Sequence, residues 1–352
     1  MKLEDTLNKI KPIDEKSRQL AKKRQDILTK PLGSLGVLED LSIKVAGIQG
    51  KSMPEINKKA IFTMAGDHGV VEEGVSAFPS EVTPQMVYNF INGGAGINVL
   101  ARHVGARVVV VDMGVAKDLD IKEEGIFRNK KIGNGTNNFV KGPAMSRDDA
   151  IGSIVAGIEA VEEEIDNGLD ILGTGDMGIG NTTSSSAIVA AITGEEVNKI
   201  TGRGTGIDDA SLLNKVKVIE AGLNVNEPDS ADGIDVLSKV GGYEIGGIAG
   251  VILGAAANKI PIVLDGFISG AGALIAYTLC PQVKEYMFAA HQSVEVGHSI
   301  TLEYLGLTPL FNLNLRLGEG TGAALGIFFV QSGVKILKEM ATFEDAGVSE
   351  KD

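Results

Sequence analysis

A single cysteine, Cys280, in 352 residues leaves no partner for an internal disulfide and no second thiolate for a metal site. The four histidines, His68, His103, His291 and His298, show no HExxH spacing, so no metal and no cofactor is expected. Basic residues are short as well: 33 Lys and Arg stand against 46 Asp and Glu, a formal net charge of -13. Nucleic acid and anionic membrane both call for clustered cations, so neither is expected as a partner. Any anionic substrate is then held by backbone N–H groups and individual cations. No apolar run is long enough to span a bilayer, because the most apolar stretch, residues 245–264, is broken by Asn258, Lys259 and Pro261. It reads instead as a buried helix followed by a buried strand. The opening MKLEDTLNKI lacks the apolar region of a signal peptide, which gives the expectation of a cytoplasmic protein. No Gly-x-Ser-x-Gly elbow follows a strand, so serine-nucleophile chemistry has little support.

What is present is 43% hydrophobic residues, enough at this length for one large α/β domain with a smaller appendage. Residues 1–58 are charged and helix-like, with two helical stretches separated by the turn Pro31-Leu32-Gly33-Ser34-Leu35-Gly36. The run Lys22-Lys23-Arg24 reads as a solvated helix face. From about residue 59, short β-branched or apolar runs alternate with helical spacing: KAIFTMAG (59–66), ARVVVVDMG (106–114), LDILGTGDMG (169–178), IPIVLDGFISG (260–270) and EYMFAAHQS (285–293). A helix bearing Leu212, Val216, Ile219 and Leu223 starts after a cap at Asp208 or Asp209. Strands separated by helices imply βαβ units in an open, mostly parallel sheet.

Polar residues gather where these strands end: Asp67-His68-Gly69, Asp112-Met113-Gly114, Gly175-Asp176-Met177-Gly178, Asp265-Gly266 and His291-Gln292-Ser293. In open parallel sheets ligands bind at that edge, although Asp-Gly pairs also serve as plain turns and caps. His68 and His291 are expected to make loop hydrogen bonds. The segment GTGDMGIGNTTSSS (173–186) places glycines, Asn181, Thr182 and hydroxyls at a helix start, which suits an anion or an ordinary capped turn. It lacks the Gly-Lys-Ser/Thr ending of a P-loop. A second cluster, TGRGTGIDDA (201–210), precedes Lys215, either a phosphate ligand or an exposed lysine paired with an acid. The stretch Gly318-Glu319-Gly320-Thr321-Gly322 sets one carboxylate among glycines before a long apolar helix running from Thr321 to about Met340. Glu319 is either a catalytic base or a charge favoured at a helix start.

Seven blocks in order resemble the nicotinate-nucleotide:dimethylbenzimidazole phosphoribosyltransferase family of cobalamin lower-ligand synthesis. They are TKPLGSLGVLEDL (29–41), AGDHGVVEEGVSAFPSEVT (65–83), FVKGPAMSR (139–147), GTGDMGIGNTTSS (173–185), DGIDVLSKVGGYEIGGIAGVILGAA (232–256), PIVLDGFISGAGAL (261–274) and RLGEGTGAAL (316–325). The resemblance implies a Rossmann-like α/β domain over residues 59–304, a small helical domain from residues 1–58 and approximately 305–352, and a homodimer. It implies transfer of the 5-phosphoribosyl group of nicotinate mononucleotide to 5,6-dimethylbenzimidazole or a related base, giving α-ribazole 5'-phosphate and nicotinate, with no metal and no cofactor. By the same match Glu319 is the general base. Asp176, Gly178, Asn181, Thr182, Gly204, Lys215 and Ser293 hold the donor nucleotide, and Phe78, Gln85, Met86 and Leu317 wall the acceptor. Some relatives carry Glu where Asp176 stands and small polar residues where Phe78 and Met86 stand, which leaves the preferred acceptor open. A nucleotide sensor and a nucleosidase are the alternative activities. The closing TFEDAGVSEKD is expected to be a frayed tail.

Overall fold

The computed structural model describes residues 2–122, 125–204 and 206–349. Seven parallel strands form one sheet: β1 (Lys59–Gly66), β2 (Arg107–Gly114), β3 (Phe127–Asn129), β4 (Ile171–Met177), β5 (Ile262–Leu264), β6 (Met287–His291) and β7 (Pro309–Phe311). Their order is β3-β2-β1-β4-β5-β6-β7. Every residue of β1 is buried, as expected for a central strand covered by helices on both faces. The chain winds one way from β1 to β3 and the other way from β4 to β7, so a crevice opens at the carboxyl ends of β1 and β4. The five strands read from sequence are all present. The two edge strands were not legible, because three residues are too few to show a period, and β7 begins with a proline, which an edge tolerates.

Glycines let two helices meet at backbone distance. In the pair Arg147–Ile165 and Tyr243–Ala257, a Cβ placed on Gly157 would lie 2.1 Å from the Gly247 carbonyl oxygen, and one on Gly250 would lie 2.0 Å from that of Ile154. Gly250→Ala should therefore force these helices apart and cost about 1–3 kcal/mol. Chemical denaturation measures that loss, and an unchanged midpoint would contradict the close approach.

Three helices open the chain, Lys2–Lys9, Glu15–Asp26 and Val37–Gln49, and the second and third pack against the long helix Thr321–Glu339. That long helix also lies over β4, β5 and β6, and β7 extends the main sheet from residues beyond 305. Within the basic run, Lys22 and Lys23 are exposed but Arg24 is not simply solvated. Its Nε donates to the carbonyl of Leu337 at 2.8 Å and its Nη2 to that of Met340 at 3.3 Å, so it caps the C-terminus of the long helix. The tail is also less frayed than expected. Thr342 caps a short helix, Phe343–Ala346, and Phe343 N donates to Ile27 O at 3.1 Å. The last three positions of that expectation, residues 350–352, lie outside the described residues. Lys30 and Glu39 form a buried ion pair at 2.8 Å, and Glu39 also accepts from Leu35 N at 3.0 Å, fixing the Pro-Leu-Gly-Ser-Leu-Gly turn. Among the described residues no helix is long and apolar enough to cross a membrane.

Candidate active site

At the crevice lies a cavity of about 290 Å³ whose floor is the loop that follows β4. The helix Asn181–Thr193 starts there from Gly180, at φ +93°, with no side-chain cap, so its opening turn faces the cavity through backbone and the Asn181 and Thr182 side chains. A helix start of this kind attracts anions. Lys215 reaches the same place from the helix Asp209–Asn226. It is almost completely buried, and its Nζ donates to Thr182 Oγ1 at 2.8 Å and to Gly202 O at 3.3 Å. Burial pushes its pKa down to about 8 against the opposing pull of Glu295. The exposed-lysine alternative is thereby excluded. Arg316, also on the cavity wall, donates from Nη1 to Gly204 O at 3.2 Å and supplies a second cation.

Carboxylates stand at the same cavity. Asp176, at the end of β4, accepts from Asn181 Nδ2 at 3.0 Å through Oδ2, while its buried Oδ1 has no partner among the described residues. Burial, followed by the neighbouring charges of Asp265, Glu244 and Glu319, raises its pKa well above the usual carboxylate value, outweighing the Asn181 hydrogen bond.

Behind the wall formed by Leu317 and Gly318 sits Glu319, 4% exposed. Gly318, Glu319 and Gly320 all take left-handed backbone, at φ +79°, +64° and +98°. For a glutamate this conformation costs on the order of 1–3 kcal/mol and persists only where the surroundings enforce it. The glycine at 175 permits it: a Cβ there would come within 2.3 Å of the Glu319 carbonyl oxygen. Glu319 Oε2 accepts from Ile97 N at 2.9 Å at the start of the helix Gly96–Val104. Burial raises its pKa above the usual 4.5, opposed by the Ile97 and Gly96 amides.

Known proteins are similar to this chain in sequence and fold. Residues 10–348 match the family model described as phosphoribosyltransferase. The nicotinate-nucleotide–dimethylbenzimidazole phosphoribosyltransferase of Chloroflexus aggregans is 59% identical over 99% of this chain and 98% of its own length. The protein of that name from Roseiflexus sp. is 59% identical over the same shares. A crystal structure of the Thermus thermophilus protein bearing that description aligns with a TM-score of 0.91 and 41% identity, covering 96% of this chain and 100% of that one. The chain belongs to the nicotinate-nucleotide–dimethylbenzimidazole phosphoribosyltransferase family. It is an enzyme, a pentosyltransferase.

Of the twelve positions that family resemblance singled out, Phe78, Asp176, Gly178, Asn181, Thr182, Gly204, Ser293 and Leu317 line the cavity together. Lys215 touches it through Thr182, and Glu319 stands one residue behind the wall. Gln85 and Met86 are not among the lining residues. Their helix, Val82–Ile91, turns Thr83, Val87 and Phe90 inward, which leaves Gln85 exposed and Met86 half-buried. Phe78 and Leu317 are more than half exposed, at 51% and 60%, and so flank the mouth.

Of the two histidines expected to bond loops, His68 differs, while His291 has a backbone hydrogen bond to the loop residue Gln292. His68 does not bond loop backbone: it lies buried between Glu244 Oε1 at 2.6 Å and Ser184 Oγ at 3.0 Å, tying the end of β1 to two helices. His291 lines the cavity and stacks on Phe311 with ring centroids 5.8 Å apart, and burial lowers its pKa. Among the described residues no group of three His, Cys, Asp or Glu side chains is placed to hold a metal ion.

Proposed function

We propose that this enzyme transfers the 5-phosphoribosyl group of nicotinate mononucleotide to 5,6-dimethylbenzimidazole or a related base, in cobalamin nucleotide-loop synthesis. One observation carries the reading: a buried carboxylate of raised pKa, Glu319, on strained backbone directly behind a cavity lined by a helix start and Arg316, with Lys215 bonded to the lining residue Thr182. In the donor, the pyridinium ring nitrogen is already a good leaving group. The bond between that nitrogen and the ribose breaks, nicotinate departs, and the free ring nitrogen of the base bonds to the ribose carbon from the opposite face, giving the α-linkage. The other ring nitrogen of the base loses its proton to Glu319, a general-base task for which a pKa drawn toward neutrality is suited. Lys215, Thr182 and the opening turn of the helix Asn181–Thr193 hold the phosphate. The base enters past Phe78 and Leu317, an aromatic and an apolar side chain that fit a flat heterocycle and keep water from the reacting carbon.

Incubating the enzyme with nicotinate mononucleotide and a panel of bases tests this reading, with products identified by mass and anomeric configuration by NMR. An α-nucleotide that forms only with a base is the expected result. Nicotinate release without any base would identify a nucleosidase, and saturable binding without nicotinate release a sensor.

Donor binding should also take up a proton. The unliganded Lys215 amine, at about 8, is roughly three-quarters neutral at pH 8.5, and a bound phosphate dianion restores its charge, so uptake approaches about 0.7 proton per site. Calorimetry at that pH in buffers of different ionisation enthalpy measures it. Zero uptake would remove Lys215 from the phosphate site.

A further inference from the structure

We infer that Asp265 is a positioning residue for the transfer, latching the left-handed turn that carries Glu319. The inference rests on the reading of Glu319 as the base. Asp265 follows β5, more than fifty residues before the turn, and is 1% exposed. One oxygen, Oδ2, accepts from Gly320 N at 3.0 Å, the amide joined to Glu319 itself. The other, Oδ1, accepts from Gly322 N at 2.6 Å and Ala323 N at 3.1 Å in the first turn of the helix Thr321–Glu339. A single carboxylate thus ties the end of the strained turn to the start of the helix after it.

Among the described residues, the side chain that holds the turn at Glu319's own carbonyl is Thr63, whose hydroxyl donates to it at 2.9 Å. Asp265 is fixed in turn: its N–H donates to Thr174 Oγ1 at 3.3 Å, and that hydroxyl donates to Ser269 at 2.8 Å. The fit is tight, since a Cβ on Gly322 would lie 2.8 Å from Asp265 Oδ1. Strained backbone persists only where its surroundings over-determine it, and charge-assisted bonds to backbone amides are the strong members of that set. An ordinary helix cap would be satisfied by the Gly322 and Ala323 amides. The bond to Gly320 N is the one that fixes the peptide of Glu319.

Asp265→Asn keeps the shape but sets an amide group against three N–H donors. The kcat is expected to fall about 10²-fold, the loss that a misplacement near 1 Å produces, with the KM for nicotinate mononucleotide changed less than about threefold. In a Glu319→Gln background the same substitution should cost less than about twofold, because a residue acting through Glu319 has nothing left to position. Hydrogen exchange at Gly320, Gly322 and Ala323 should quicken. An equal loss in both backgrounds, an undiminished kcat, or unchanged exchange would overturn the inference. Full activity in Glu319→Gln alone would instead sink the base reading, and the positioning role with it. Should the Asn variant be insoluble, Asp265→Ser, which retains one acceptor, should show the same pattern at a smaller loss, and a loss independent of Glu319 would refute it.

Discussion

Glu319→Gln should lower kcat by about 10²–10⁴-fold while the KM for nicotinate mononucleotide stays within about threefold. The amide preserves the volume of the side chain and an acceptor for the Ile97 amide, so the turn at φ +64° has no new reason to relax. What it removes is the capacity to take a proton. Because only the ionised form is a base, activity falls as pH drops through the pKa of Glu319. Burial has raised that pKa above 4.5, so the acid limb of kcat/KM should lie at higher pH than an ordinary glutamate gives. In Glu319→Gln this limb should be missing from the residual rate. A limb that persists unaltered would assign the titration to another group.

Lys215→Met should raise the KM for the donor by about 10²-fold, the scale of losing a desolvated charge contact. The argument turns on what the lysine does without a ligand. Its partners are a hydroxyl and a carbonyl, and burial depresses its pKa to about 8, so the fold gains little from holding a cation there. Replacement by an apolar side chain of similar length should leave stability unchanged or higher while donor binding collapses. Thermal melts with and without nicotinate mononucleotide measure both effects. A variant that loses stability but binds donor normally would mean that Lys215 is structural.

Much of the architecture was legible because five strands carry β-branched or apolar runs that stop at Asp, His or Gly, and a parallel sheet buried on both faces leaves that signature. The edge strands at residues 127–129 and 309–311 leave none. Within the site, residues on one contiguous loop were easiest to read: Asp176, Gly178, Asn181 and Thr182 share a motif and share the cavity. Lys215 was ambiguous because helical spacing alone does not say which face the lysine presents. Gln85 and Met86 follow the motif but sit on a helix whose inward face is Thr83, Val87 and Phe90. Groups assembled from distant segments were hardest. His68, Ser184 and Glu244 converge from three elements, and only the lone charge of Glu244 inside an apolar helix hinted at a buried partner. Asp265 showed itself in sequence as one strand-end acid among several, and its three amide donors come from a turn and the helix start after it, more than fifty residues away. Arg316 stands two residues before the glycine turn that carries Glu319, and a cation so placed is itself a signal.

A crystal structure with 5,6-dimethylbenzimidazole and a donor or product bound bears most directly on the role of Glu319. The account predicts the ring nitrogen not destined for ribose at about 2.6–3.2 Å from the Glu319 carboxylate, with the phosphate against Lys215. A base whose second nitrogen faces solvent or another side chain, while Glu319 remains turned only to the Ile97 amide, would contradict it.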